Sequence, residues 1–400
     1  MRIHATRPGI AICLTLMSAG PIFSQTVEPN TEAGPTPVAH VYVQTTRGVM
    51  VFSAAANGKL TSINGSPYPV SGQIGGISGK YLISVGTDLL HTYLLKSNGG
   101  VGGQVAVNNS QDYGGSECGN NTYSTSVFDH TGRYFYLQLD SDGTCAAMQS
   151  YKLEPDGSLV YRGNQEYDVV NDGVADPSIN PTFASNDVFA YGEFAGEFSS
   201  NTFAAYTKVG GGVLNENTHY SQVLPECYPN GYEGGDDWTY HPIEVAAAPS
   251  NYLAATMLAL ESGYGWDGTY RVASFTINPS SGAISSGNSY SNMPYLAVGY
   301  PLAMNSSPSG LLTAVGGSSG VQFLDFNQSQ PLADLSGQLL PGIEIDQLAW
   351  DYDNHLYAVS FPSNGLYVFT VTPHSFSQAP GSPYHLPHTV YANPGLVVTR

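Results

Sequence analysis

From residue 40 to its end the chain repeats short apolar runs of about four to eight residues, each closed by Gly, Pro, Ser or Asn, the pattern of strands joined by tight turns. The runs fall into a recurring unit. A strand of small or apolar residues meets a turn, a second apolar strand follows, a variable loop leads to a third strand carrying an aromatic, and a further turn precedes a short outer strand. The clearest copy is His241 to Tyr290. Its predicted strands are Ile243–Ala248, Tyr252–Leu258, Tyr270–Ile277 and Ala283–Tyr290, with turns at Pro249-Ser250-Asn251 and Asn278-Pro279-Ser280-Ser281-Gly282. Other second strands are Tyr81–Val85, Tyr134–Leu139, Val188–Tyr191, Leu311–Val315 and Leu356–Ser360. Third strands carry Phe52, Tyr93, Tyr151, Tyr206, Phe275, Phe326 and Phe369, seven aromatics spaced 41 to 69 residues apart. The expected fold is all-β, a seven-bladed β-propeller of four-stranded antiparallel blades.

The first copy starts with Val41-Tyr42-Val43 and lacks an innermost strand, whereas Gly395-Leu396-Val397-Val398 is surplus after the last. The C-terminal strand is therefore expected to complete the first blade and close the ring, leaving no open edge. The first and last copies are also alike, Gly48–Phe52 with Gly65-Ser66-Pro67-Tyr68 matching Gly365–Phe369 with Gly381-Ser382-Pro383-Tyr384.

Composition agrees with many strands and turns: only 11% of the 400 residues are charged, while Gly 46, Pro 26 and Tyr 28 are abundant. Arg2 and Arg7 precede an apolar stretch, Ile10 to Met17, and then small and turn residues, the order of a secretory signal. Residues 1–24 are read as a signal peptide, 25–39 as a linker and 40–400 as the propeller, secreted or periplasmic. The apolar stretch is shorter than the roughly 20 residues that span a bilayer, and no later segment is long enough, so no membrane span is expected. Loss of Arg2 and Arg7 leaves ten bases against 31 acids, a change from −19 to −21. That charge speaks against nucleic acid as a partner. A small molecule, a carbohydrate or another protein remain open, and the chain is expected to be a monomer.

With its strand and turn grammar, seen in Ser307-Pro308-Ser309-Gly310-Leu311-Leu312-Thr313-Ala314 and in Tyr151–Leu159 with its Glu154-Pro155-Asp156-Gly157-Ser158 turn, the chain resembles the lactonase-type seven-bladed propellers, which include bacterial 6-phosphogluconolactonase and fungal carboxymuconate cyclase. The resemblance spans roughly residues 40 to 400. It implies a lactonase-like hydrolase if the protein is an enzyme. The His- and Arg-bearing segments of that family would fall at Asn121–Ser126 and Asn180–Phe183, which here contain neither residue, while the Glu that follows the fourth blade's second strand has a counterpart in Glu193.

Propeller topology puts the second-to-third-strand loops and the connections between blades on one face. On that face six long loops, within residues 108–123, 140–145, 166–180, 192–201, 221–240 and 259–269, hold 16 acids and no Lys or Arg. Such a field attracts cations and repels phosphates. It reads either as a solvated surface that keeps an exported protein soluble or as a binding face. For the second reading the candidate ligand-binding residues are Asp140, Asp236, Asp237, Glu261, Trp238 and Trp266, and the candidate catalytic residues Glu193 and His241. Asp140, Glu193 and Glu261 each leave a second strand in adjacent blades. Such carboxylates could work as an acid–base pair or hold a hard cation such as Ca²⁺, which makes a calcium-dependent carbohydrate binder an alternative. Asp140-Ser141-Asp142-Gly143 lacks the downstream Glu of a calcium loop and reads as a turn. Cys118, Cys145 and Cys227 allow three pairings, and Cys118–Cys145, flanking the third blade, is preferred. Gly316-Gly317-Ser318-Ser319-Gly320 fits G-x-S-x-G but joins two strands, not the strand and helix that a nucleophile elbow needs. The reading favoured overall is a binding or scaffold propeller.

Overall fold

In the computed structural model, residues 36–110, 122–141, 145–168, 181–193, 203–220, 227, 238–261, 266–289, 291–326, 332–387, 389 and 395–399 are described. They form strands and turns, with no helix among them. Seven antiparallel sheets follow in order around a ring, each running outward from an innermost strand. From the centre outward, blade 2 is Gln73–Ser78, Tyr81–Val85, Leu89–Leu95 and Val101–Asn109; blade 3 is Thr122–Phe128, Tyr134–Ser141, Cys145–Leu153 and Leu159–Asp168; blade 4 is Thr182–Phe183, Phe189–Glu193, Phe203–Lys208 and Leu214–Tyr220. Blade 5 is Trp238–Ala248, Tyr252–Glu261, Trp266–Ile277 and Ile284–Ser286; blade 6 is Pro301–Ser306, Leu312–Gly317, Gly320–Asp325 and Ala333–Asp334; blade 7 is Gln347–Trp350, His355–Ser360, Gly365–Thr372 and Ser375–Gln378.

Blade 1 combines the two ends of the propeller. Ala39–Thr45, Gly48–Ala54 and Leu60–Ser62 supply its outer three strands, and Leu396–Val398 is the innermost, antiparallel to Ala39–Thr45 with Val41 opposite Val398 and Val43 opposite Leu396. Gln44 N–H donates to Gly395 C=O and Thr399 N–H to His40 C=O, extending the pairing beyond both ends. The C-terminal closure expected from the repeat count is thus the one the chain adopts.

The core lies between blades. Seven apolar clusters each join one blade to the next, for example Tyr42, Val51, Ile74 and Leu82 between blades 1 and 2, and Phe203, Tyr240, Leu253 and Phe275 between blades 4 and 5. A second strand has a neighbouring strand on either side and a blade against each face, so Tyr81–Val85 is buried at every position and needs no polar alternation. The outermost Ser375–Gln378, with one neighbour, is exposed throughout.

Most predicted strands stand within a few residues of their expected bounds. Three differ for physical reasons. In blade 5 the first strand reaches back to Trp238, because a bulge between Pro242 and Val245 lets it pass Pro242, whose nitrogen cannot donate. The outer strand of that blade is only Ile284–Ser286, since it has a single neighbour to bond. Phe326, expected within a third strand, sits one residue past Asp325, buried, with its N–H on Leu311 C=O. Blade 7 also gains a two-residue strand, Tyr384–His385, against Gly365–Leu366. Its counterpart in blade 1 is the single bridge from Tyr68 to Val49, and both follow a cis Ser-Pro peptide, Ser66-Pro67 and Ser382-Pro383.

Candidate functional site

The seven innermost strands belong to separate sheets, so they leave backbone edges facing the axis. Buried donors and acceptors need partners, and side chains of neighbouring blades supply them. Gln44 Oε1 accepts from Ile74 N–H at 3.1 Å, Thr182 Oγ1 from Ala247 N–H at 2.9 Å, and Gln347 Oε1 from Gly395 N–H at 2.9 Å. Ser126 Oγ donates to Gly75 C=O at 2.7 Å, and Tyr123 hydroxyl meets the same Ser126 at 2.9 Å.

Inside this ring lies a cavity of about 640 Å³ to which every blade contributes, among others Gly75, Thr125, Thr182, Glu244, Ala303, Gln347 and Val397. Small side chains keep it open. It reaches the face formed by the first-to-second-strand turns, where Ser78, His130, Pro249, Pro308 and Tyr352 surround it. Among the described residues no Lys or Arg lines it, whereas Glu244, Asp346 and Asp129 do.

Glu244 sits in the bulge of the first strand of blade 5. The bulge removes its N–H from the ladder, and Thr256 Oγ1 accepts that N–H at 3.0 Å. Its carboxyl is held in the channel wall, and burial pushes its pKa up to about 7. Asp346, at the start of the first strand of blade 7, is raised to about 6: burial drives it up, the N–H of Phe361 at 2.7 Å partly offsets this, and the adjacent Glu344 carboxyl adds to the rise. Both groups therefore change charge near neutral pH. A carboxyl that is half protonated there can accept or donate a hydrogen bond to a hydroxyl, neutralise an ammonium, or move a proton.

At the turn-face mouth the charges are already committed. Asp129 is fully buried and takes Lys208 Nζ at 2.8 Å together with the backbone N–H groups of Arg133 and Tyr134. Asp187 accepts from the backbone of His130 and Thr131 and meets His130 Nδ1 at 2.9 Å. In blade 7, Asp351 binds His355 Nδ1 at 2.8 Å and Tyr357 hydroxyl at 2.7 Å, all buried. These clips bind turns to strands.

Asp140, Glu193 and Glu261 lie at the ends of the second strands of blades 3, 4 and 5, opposite Thr122, Phe203 and Trp238. Their side chains, and that of Trp266 at the start of a third strand, are outside the described residues, as are Asp236, Asp237 and Cys118. Cys145 opens the third strand of blade 3, its side chain likewise undescribed, so the Cys118–Cys145 pairing lies outside them too. Trp238 is half-buried and packs with Cys227 against the cluster between blades 4 and 5. His241 is also half-buried, its Nε2 at 3.1 Å from Thr239 Oγ1, and it is not part of the channel wall. Gly316–Gly320 forms the hairpin between second and third strands of blade 6, where Ser318 Oγ accepts from Tyr300 N–H. Among the described residues no three His, Cys, Asp or Glu gather as a metal site, and no helix long and apolar enough to cross a membrane is present.

Glu244 and Asp346 are absent from the loop-based reading because Glu244 sits on an innermost strand and Asp346 immediately precedes one. The signal that could have found Glu244 is a lone carboxylate in the apolar run Ile243-Glu244-Val245-Ala246.

No family model matches the chain, and no curated protein matches it. Solved structures do. A putative 6-phosphogluconolactonase from Bacteroides uniformis aligns with a TM-score of 0.60 at 14% identity, over 90% of this chain and 99% of its own. A second, from Bacteroides fragilis, aligns at 0.57 and 13% identity over 93% and 99%. A protein from Lactobacillus plantarum aligns at 0.58 and 12% over 90% and 98%. These likenesses establish a shared fold, the β-propeller.

Proposed function

We propose that this chain is an exported binding propeller that takes a small uncharged or cationic ligand in its central channel, with Glu244 as the principal polar contact. The observation that carries this is the channel itself: about 640 Å³, walled by all seven blades, and lined among the described residues by carboxyls and by no Lys or Arg. A phosphorylated ligand would meet Glu244 and Asp346 with no cation to offset them. The acid-rich loops on the opposite face, with Asp140, Asp236, Asp237, Glu193, Glu261, His241, Trp238 and Trp266, would favour the same ligand class on approach. Export rests on the N-terminal charge and hydropathy pattern.

A second reading, lactone hydrolysis, has one observation in its favour. A carboxyl with a pKa near 7 suits a general base activating water, and two of the similar structures carry lactonase names. The test is a thermal-shift screen of the mature protein against neutral oligosaccharides, amines, lactones and divalent cations including Ca²⁺, run in parallel on Glu244→Gln. Binding predicts an upward shift with a neutral or cationic compound that the variant loses; turnover of a lactone by the wild type but not the variant would establish the hydrolase instead. No shift with any neutral or cationic compound would contradict the channel reading.

A further inference from the structure

Six bases gather on one face of the ring, beside carboxylates that include Asp129, Glu154 and Asp187. Lys59, Lys80, Lys96, Arg133, Lys152 and Lys208 all lie at the first-to-second or third-to-fourth-strand ends of blades 1 to 4. Two of these six cations are paired with carboxylates, Lys208 with Asp129 and Lys152 with Glu154, while Lys96 stands over Tyr68. Two others share one notch. Lys80 and Arg133 are exposed, and among the described residues their charged groups meet only tyrosine rings: Lys80 Nζ lies 5.1 Å from the centroid of Tyr81, and Arg133 Cζ 5.6 Å from that of Tyr134.

These two residues border one open notch between blades 2 and 3, about 660 Å³, whose other walls are Ser78, Tyr81, Lys152 and Pro155. The notch is held rigidly. Ser78 hydroxyl donates to Gly132 C=O at 2.6 Å, Tyr81 hydroxyl to Pro155 C=O at 2.7 Å, and Leu153 N–H to Arg133 C=O at 2.9 Å. Its one carboxylate, Glu154, is neutralised by Lys152, and Asp156 in the adjoining turn is bonded to the backbone and hydroxyl of Ser158. Two exposed cations beside one pre-formed notch, neither paired with a carboxylate among the described residues, can together meet an anionic group. We propose that the notch between blades 2 and 3 binds a sulfate or phosphate group, free or carried on a larger molecule, between Lys80 and Arg133.

Calorimetry on the mature protein tests this, with sodium phosphate and sodium sulfate titrated against chloride at matched ionic strength, and dextran sulfate against unsulfated dextran. The wild type should bind phosphate or sulfate, and the Lys80→Gln/Arg133→Gln variant at least tenfold more weakly. Lys59→Gln, which removes an exposed base in blade 1 on the same face, should leave affinity unchanged. Much tighter binding of dextran sulfate than of the ions would assign the group to a polymer; equal or weaker binding would assign it to a small anion. Both side chains are exposed and hold no hydrogen bond, so the double variant should keep the wild-type unfolding midpoint. No anion binding at matched ionic strength, or equal losses in the double variant and Lys59→Gln, would overturn the proposal.

Discussion

Tyr191 crosses from blade 4 to donate its hydroxyl to Gly282 C=O of blade 5 at 2.6 Å, and the same staple recurs in Tyr42 to Gly99 and Tyr136 to Gly212. In each, the residue two before the tyrosine lies against the same glycine. A Cβ on Gly282 would come within 2.5 Å of the Phe189 ring, and on Gly212 within 2.1 Å of the Tyr134 ring, and both glycines have positive φ, 73° and 91°. Tyr191→Phe leaves a buried carbonyl unpaired and should cost about 1–2 kcal/mol. Gly282→Ala adds backbone strain and a clash, and should cost more, about 2–4 kcal/mol; urea midpoints of the two variants check the order. Glu244 makes the opposite kind of contribution. Its folded pKa, about 7, lies above the ordinary carboxylate value, so the stability it confers is complete in acid and is lost as pH rises through 7. Asp346 acts with the same sign below about pH 6. Unfolding free energy should fall from pH 5 to pH 8, and Glu244→Gln should reduce that fall by about 1–3 kcal/mol, measured by urea titration at both pH values. The abundance of tyrosine was legible in the sequence. The glycine that each one reaches in the next blade was not, because that contact spans 57 to 91 residues.

At the scale of strands, what the sequence made legible were the turns and the second strands. Tyr81–Val85 was read to the residue because burial on both faces selects an unbroken apolar run and a Gly turn precedes it. The bulge at Pro242–Val245 left no such mark, and it is the feature that places Glu244 in the channel. Closure through residues 395–398 was legible as a missing strand at one end and a spare one at the other. That strand contributes three paired positions and packs Leu396 into the cluster between blades 7 and 1. A chain ending before Pro394 should expose the edge of Ala39–Thr45 and lose roughly 4 kcal/mol or more. The expected outcome is a large drop in unfolding midpoint with faster proteolysis; an unchanged midpoint would show that the ring holds without its closing strand.

Over the whole molecule, seven interblade cores fix a rigid ring, and rigidity allows its two faces and its axis to carry different chemistry. One face bears Lys80 and Arg133 beside a notch, the loops of the other carry 16 acids in sequence, and the axis holds Glu244 and Asp346. The acidic face is an expectation from topology and loop composition, and most of its loop residues lie outside those described. The channel was not, because a cavity arises only when seven distant segments meet. Among the described residues its wall carries Glu244, Asp346 and Asp129 and no Lys or Arg, and the proposed guest is accordingly a neutral or cationic molecule. The most direct check is the dissociation constant of the strongest neutral or cationic compound from the thermal-shift screen, measured calorimetrically for the wild type and for Glu244→Gln. The expected result is at least a tenfold loss in the variant, about 1.4 kcal/mol, at an unchanged fold; equal affinity in the two proteins would place the ligand elsewhere and contradict the assignment of the channel.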